Sequence, residues 1–302
     1  MNRRRLLKHL SLAAVGSMAI PSYARSEFRK LKQFGVQLST ITPMMAADFA
    51  GTLAEVASIG YKQVEFSALG FLGREAAEAK DLLDKNGLEA PVGRVAFNVP
   101  ADFMTMPRDQ QMKVFGNQTS MESLVERINT SLEECKLLDQ RYLIIPAIMS
   151  HVFSDMTQVK NMIATLQESA KKCQDQGVML GYHNHNWEFD ELDGKIPYTI
   201  MLEELDPELF TFQLDTYWVR KAGWDLTEIL NTYSGRFITC HLKDIDNEGD
   251  FEDVGHGEID FPAFLKKAQS QGAKYFFVER DTSDDPMESI RRSYASLKDM
   301  RF

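Results

Sequence analysis

Cysteine is scarce in this 302-residue chain: Cys135, Cys173 and Cys240 stand far apart and are odd in number. That excludes a disulfide framework, and no Cys-x-x-Cys pair is present to hold a metal. On a strand, neighbours point to opposite faces, so Cys240 does not share a site with His241. A Gly-x-Gly-x-x-Gly turn after the first expected strand is missing too. Residues 70–73, Gly-Phe-Leu-Gly, fit no nucleotide fingerprint. Basic residues are in the minority, 34 Lys and Arg against 44 Asp and Glu, for a net charge of −10. Arg3, Arg4, Arg5 and Lys8 fall in the first 24 residues, which carry no acid, so the remainder is more acidic still. A surface of that sign repels phosphate backbones, and no basic stripe with interleaved aromatics offsets it, which argues against nucleic acid as a partner. Internal repeats, low-complexity tracts and a Pro/Ser-rich linker are likewise absent. What is present is ordinary for a folded domain: 44% hydrophobic and 26% charged residues.

Residues 1–24 read as an address. A basic start leads into a short apolar run over 10–20, then a small-x-small ending at Ser22-Tyr23-Ala24. This is the layout of a secretory signal, and the run is too short to span a bilayer comfortably, so no stable membrane anchor is expected. Arg3-Arg4-Arg5-Leu6-Leu7-Lys8 resembles the twin-arginine signal, which carries folded proteins across the membrane. The expectation is a periplasmic protein with a mature start near Arg25 and one domain over 25–302.

From Phe34 onward, short apolar β-prone runs alternate with longer amphipathic ones. The expected strands are 34–39, 63–67, 91–97, 142–147, 179–185, 211–216, 237–243 and 275–280. The expected helices are 49–59, 75–86, 121–138, 156–176, 198–205, 226–233, 261–271 and 287–300. Gly60, Gly87, Gly177 and Gly272 stand where left-handed C-caps belong. Eight βα units on one continuous chain predict an α/β fold of one domain, a (β/α)₈ TIM barrel. Residues 102–120, polar, Met-rich and unperiodic, read as a long βα loop at the barrel mouth.

In such a barrel the reactive groups sit at the C-terminal ends of strands. The late strands end Tyr182-His183-Asn184-His185, Leu214-Asp215-Thr216, Cys240-His241-Leu242-Lys243 and Val278-Glu279-Arg280. Alternation turns Leu214, Cys240, Leu242 and Val278 toward the helices. It turns His183, Gln213, Asp215, His241, Lys243 and Glu279 inward. Taken singly, a strand-end aspartate is equally a helix cap and an inward histidine a core residue. Four polar groups converging at one level are costly to bury without a compensating cation. His183, Asp215, His241 and Glu279 are therefore the candidate metal ligands. Two imidazoles and two carboxylates without a thiolate suit Mn²⁺, Zn²⁺, Co²⁺ or Fe²⁺ better than Ca²⁺.

These strand ends resemble those of the xylose isomerase-like barrel superfamily, the sugar phosphate isomerases and epimerases. Leu214-Asp215-Thr216-Tyr217 is similar to its strand-six metal motif and Thr239-Cys240-His241-Leu242-Lys243-Asp244 to its strand-seven motif. Gly255-His256-Gly257-Glu258-Ile259-Asp260-Phe261 is similar to its glycine-rich loop, and Val278-Glu279 to its strand-eight glutamate. The resemblance implies a sugar substrate and a bound divalent metal. One position departs: where His183 stands, the epimerases commonly carry a glutamate that also moves a proton. A metal-bound imidazole has no lone pair left for that task.

The reaction expected is isomerisation or epimerisation of a sugar or keto-sugar through an enediolate. Glu279 is the candidate ligand and base, His185 and Glu188 the candidates for the second acid or base, and Lys243 the candidate charge stabiliser. His256, Trp187, Tyr217, Trp218 and Glu65 are the candidate substrate contacts. One alternative is a lyase or hydratase that β-eliminates across a 3-keto-glycoside, starting from the same proton abstraction. A second is a non-catalytic sugar-binding barrel. A homo-oligomer is compatible with the sequence.

Overall fold

A computed structural model describes residues 30–100 and 102–302. The signal-like segment 1–24 lies outside them. Eight parallel strands form one sheet in the order β2-β1-β8-β7-β6-β5-β4-β3. They are β1 (Gly35–Gln37), β2 (Gln63–Glu65), β3 (Val92–Arg94), β4 (Tyr142–Ile145), β5 (Met179–His183), β6 (Phe210–Asp215), β7 (Phe237–Leu242) and β8 (Tyr275–Val278). Between β2 and β3 the barrel is closed by the residues just before β3. Glu89 N–H donates to Lys62 O at 2.9 Å, and Val64 N–H donates to Glu89 O at 2.8 Å.

Helices follow the strands in turn: α1 (Phe49–Ile59), α2 (Ala76–Asn86), α3 (Met121–Leu137), α4 (Met156–Gln174), α5 (Pro197–Glu204), α6 (Leu226–Thr232), α7 (Phe261–Ser270) and α8 (Pro286–Asp299). Their starts are chemically marked. Side chains of Ser120, Asp155, Asp225, Asp260 and Asp285 accept N–H bonds from the first turns of α3, α4, α6, α7 and α8. Pro197, Pro262 and Pro286 fill the opening positions of α5, α7 and α8, where no N–H partner is needed. Each helix turns an apolar stripe to the sheet, such as Val159, Met162, Ile163 and Leu166 of α4. Burying one such side chain contributes roughly 1.5–3 kcal/mol.

The interior is layered as the strand alternation dictates. The lowest layer holds Val92, Ile144 and Phe277, with Tyr142 and Tyr275 against them. Gly35 leaves room for this layer, since a Cβ there would stand 2.5 Å from Phe277 Cδ1. Above it the inward side chains turn polar: Gln37, Glu65, Arg94, Gln213, Thr239 and His241. The register sets Asp215 opposite His241 and His183 opposite Gln213. Polar chemistry thus occupies the C-terminal half of the barrel, and the N-terminal half is apolar.

Three features differ from the sequence expectation. Residues 102–120 are not an irregular loop: they contain a 3₁₀ turn, Phe103–Thr105, and a helix, Arg108–Gly116, with no buried residue. Two further short helices, Thr42–Ala47 and Thr216–Lys221, follow β1 and β6. The segment after β7 folds into an antiparallel ribbon, Asp244–Ile245 against Phe251–Glu252. The three thiols are buried and free. No helix among the described residues is long and apolar enough to cross a membrane.

Candidate metal centre

The ends of β5, β6, β7 and β8 bring His183, Asp215, His241 and Glu279 together. One ligand atom from each lies within 4.8 Å of the others, and all four residues are buried. Asp215 does two things at once. Its Oδ1 accepts from Trp218 N–H at 3.0 Å, starting the helix Thr216–Lys221, and its Oδ2 turns to the cluster. The helix-cap and ligand readings of this residue are therefore compatible, one oxygen each.

Whether a metal fits is decided by the atoms left over. Asp215 Oδ2, His241 Nδ1 and Glu279 Oε2 are buried, and their polar neighbours are one another and the Lys243 ammonium. His241 Nδ1 is 2.7 Å from Glu279 Oε2 and 3.9 Å from Asp215 Oδ2, so the three atoms converge. His183 Nε2 joins them at 3.6 Å from Asp215 Oδ2. Buried carboxylates and imidazoles crowded together in this way are costly unless positive charge compensates them. A divalent cation bound by two nitrogens and two oxygens fits this donor set.

The ligand groups are fixed from behind. His241 Nε2 meets Glu65 Oε2 at 2.6 Å, and His183 Nδ1 meets Gln213 Oε1 at 3.0 Å. Ser39 Oγ donates to Glu279 Oε1 at 2.6 Å. Glu65 is wholly buried beneath the imidazoles, bonded by Gln37, Arg94 and Gln213. Its carboxylate thus faces these donors beneath the imidazoles, whereas the sequence suggested a place on the wall of the cleft.

Lys243 is buried, with Nζ 3.1 Å from Asp215 Oδ2, 2.8 Å from Glu279 Oε2 and 2.9 Å from Asp281 Oδ1. A carboxylate oxygen has two lone pairs, so an ammonium and a metal can share it. Burial disfavours the lysine charge, but Asp215, Glu279 and Asp281 outweigh it and hold Lys243 protonated. Burial likewise works against the Glu279 charge, and Lys243 and His241 overcome it, keeping that carboxyl well below the usual range. Asp215 is pushed up to about 6 by burial, against the pull of Lys243 and His241. Burial opposes charging His241, yet Glu279 and Glu65 lift it to about 9. Burial, with His241 and Arg94 nearby, keeps His183 neutral.

His185 lies next to this cluster, its ring 5.0 Å from that of His183. It stacks on Trp187 at 4.3 Å and stands 5.4 Å from Trp218. His185 Nδ1 and the indole Nε1 atoms of Trp187 and Trp218 are all buried without partners. Burial, followed by the nearby Lys243, depresses His185 to about 3. The three rings form an aromatic wall with unused polar edges, the form that suits a sugar's C–H faces and hydroxyls.

Three expected site residues are placed elsewhere. Glu188 is wholly buried, accepting from the Tyr182 hydroxyl and from His185 N–H at 2.9 Å. Tyr182 alternates with His183 and faces the helices, so Glu188 braces the β5 loop from outside the barrel. Tyr217 sits beyond the end of β6, its ring stacked on Phe251 at 4.0 Å and its hydroxyl donating to Gly249 O at 3.0 Å. His256 is exposed, with Nε2 3.2 Å from Ser296 Oγ on α8. Its loop wraps the Asp244 carboxylate, which accepts from the N–H groups of Gly255, Gly257 and Ile259. The sequence reading missed Gln37, Ser39, Arg94 and Asp281. Their signal was a polar residue at an inward strand position, or just past a strand end.

This arrangement of eight βα units with a polar C-terminal mouth agrees with the sequence comparisons. Residues 53–300 match the family described as Xylose isomerase-like TIM barrel, and the chain belongs to that family. A curated relative, inosose dehydratase of Geobacillus kaustophilus (strain HTA426), is 27% identical over 157 residues, 46% of this chain and 50% of that protein. The match therefore spans half the length of that relative. Among solved structures, a sugar phosphate isomerase/epimerase from Parabacteroides distasonis ATCC 8503 superposes with a TM-score of 0.75. It is 21% identical over 89% of this chain and 98% of that one. The 3-keto-D-glucoside 4-epimerase of E. coli superposes with a TM-score of 0.62 at 15% identity, over 88% of this chain and 98% of that one. At these identities the structural likeness shows the shared fold.

Proposed function

We propose that the chain is a metal-dependent isomerase or epimerase of a sugar or keto-sugar, working by removing a proton next to a carbonyl. The observation that carries this reading is the convergence of buried ligand atoms from His183, Asp215, His241 and Glu279 within 4.8 Å of one another, flanked by the unused His185 Nδ1. When bound by those four residues, a divalent ion of the Mn²⁺, Zn²⁺, Co²⁺ or Fe²⁺ type supplies polarisation of the carbonyl and neutralises the charge of the enediolate.

The chain's own groups do the rest. Lys243 spends its three N–H donors on Asp215, Glu279 and Asp281 and so keeps the two ligand carboxylates ionised and in place. Trp187 and Trp218 hold the sugar against their ring faces and exclude water. Glu279, anchored through Oε1 by Ser39, and His185, neutral at pH 7, are the two groups that hold or move the proton. Glu188 is tied up by Tyr182 and the His185 backbone and takes no part in the transfer.

A second reading, dehydration or β-elimination, is supported by His183. Where the resemblance assigns a second proton-moving glutamate, this chain has an imidazole whose Nε2 faces the ligand cluster. Elimination needs no reprotonation at the carbon that was ionised, so it tolerates that loss. The inosose dehydratase relative supports the same reading.

The test is proton exchange. Metal-loaded protein with a panel of keto-sugars in D₂O should exchange the substrate's α-hydrogen, and chelated protein should not. A product that keeps the substrate's composition apart from the deuterium taken up marks isomerisation, and loss of water or an alcohol marks elimination. No exchange with any substrate of the panel defeats both.

A further inference from the structure

We infer that Gln213 and Glu65 are positioning residues: one buried amide–carboxylate pair that locks both imidazoles into the tautomers able to bind a metal. This rests on the metal reading above and goes beyond it to what selects the ligand atoms.

The groups that can only donate or only accept fix every orientation in this bridge. Arg94 can only donate, and its Nη1 lies 2.5 Å from Gln213 Oε1. Gln213 Nε2 lies 2.8 Å from Glu65 Oε1, which as a carboxylate can only accept. The Gln213 amide therefore has one allowed orientation, with its carbonyl toward Arg94. The same carbonyl faces His183 Nδ1 at 3.0 Å, so Nδ1 carries the hydrogen and Nε2 offers its lone pair to the cluster. Glu65 Oε2 is ringed by donors as well: Gln37 Nε2 at 2.8 Å and Arg94 Nη1 at 3.3 Å. Gln37 is itself oriented, because its Oε1 accepts from Ser39 N–H at 2.9 Å. His241 Nε2, 2.6 Å from Glu65 Oε2, must then be a donor, which frees Nδ1 for the metal. The two histidines bind through different nitrogens, Nε2 of His183 and Nδ1 of His241, because one bridge accepts from the other nitrogen of each.

Every contact to Glu65 is a donor, so an amide at this position has nowhere to place its own N–H. Glu65→Gln is thus nearly isosteric yet mispaired. Groups that orient ligating histidines from behind typically account for about 10–100-fold in metal affinity. In the full-length chain stripped of metal, titration calorimetry with Mn²⁺ should show E65Q and Q213M binding about 10–100-fold more weakly than wild type. The double variant should weaken by less than the product of the two, since both break one bridge. Circular dichroism and melting of the metal-free proteins separate this from a merely structural role, which would lower the melting temperature and leave the dissociation constant unmoved. Folded variants that bind Mn²⁺ within twofold of wild type overturn the inference.

A second measurement needs no variant. In ¹⁵N-histidine NMR of the Zn²⁺-loaded protein, His183 should be protonated on Nδ1 and His241 on Nε2. The opposite tautomer at either residue overturns the inference. If wild type takes up no metal, the metal reading fails. The inference is then decided by His183 in the metal-free protein, where Nδ1–H supports it and Nε2–H sinks it.

Discussion

Metal binding by this cluster should release close to one proton near neutral pH, and His241 is its source. In the metal-free protein Glu279 and Glu65 lift that imidazole to about 9 in spite of its burial, so Nδ1 carries a proton at pH 7. A metal takes the lone pair, so the proton must leave. Over the same range Lys243 stays charged, His183 stays neutral and Glu279 stays ionised. The apparent affinity should then rise about tenfold per pH unit above 7 and flatten near 9, a gain of about 50-fold in all. Below 6 a second proton enters, because Asp215 is pushed up to about 6, and the slope should steepen toward two. The sign for folding is opposite. Between the ordinary histidine value and 9 the folded metal-free chain holds more protons at His241 than the unfolded one. Its stability from this group is full at low pH and is lost as pH rises through 9. The assay is Mn²⁺ calorimetry in two buffers of different ionisation enthalpy at several pH values. An affinity flat from pH 7 to 9, with heats that do not depend on the buffer, would refute the reasoning.

Other outcomes follow from placements that depart from the sequence expectation. Glu188→Gln can turn its carbonyl to the His185 N–H and its N–H to the Tyr182 oxygen, but the Tyr182 hydroxyl then loses its own buried acceptor, so stability should fall by about 1–3 kcal/mol in a denaturant titration. Its pH–rate profile should match wild type, and a large fall in kcat at unchanged stability would restore Glu188 as an acid or base. His256→Ala should leave kcat/KM within about twofold and stability within about 0.5 kcal/mol, because the side chain is exposed and pairs with Ser296. Gly257→Ala should lower Tm and stability by about 1–3 kcal/mol, since a Cβ there meets Asp244 Oδ1 at 2.5 Å in the loop that wraps this carboxylate.

The barrel was legible because its signals are local and repeated. Apolar β-prone runs mark the strands, and Gly60, Gly87, Gly177 and Gly272, all at positive φ, mark helix ends. The helix Arg108–Gly116 was not, for a physical reason: it buries no residue, so it lacks the apolar period that reveals a helix. Within the site, strand parity carried the cluster of His183, Asp215, His241 and Glu279, because alternation is enforced by the pleat. Just past the strand ends it still held for Lys243 and Glu279, but it did not hold where a new element begins. Tyr217 shares parity with Asp215, yet a helix begins at Thr216 and turns it toward Phe251. Glu188 and His256 sit on loops, where spacing does not fix direction. The Glu65–Gln213 bridge joins residues far apart in sequence, and only closing the barrel brings them together.

The central claim is that four strand ends hold one divalent ion, and anomalous diffraction from Mn²⁺-loaded crystals tests it most directly. A single strong peak is expected about 2.0–2.2 Å from His183 Nε2, Asp215 Oδ2, His241 Nδ1 and Glu279 Oε2. A peak at other residues, or none with Lys243 still bridging Asp215 and Glu279, would contradict it.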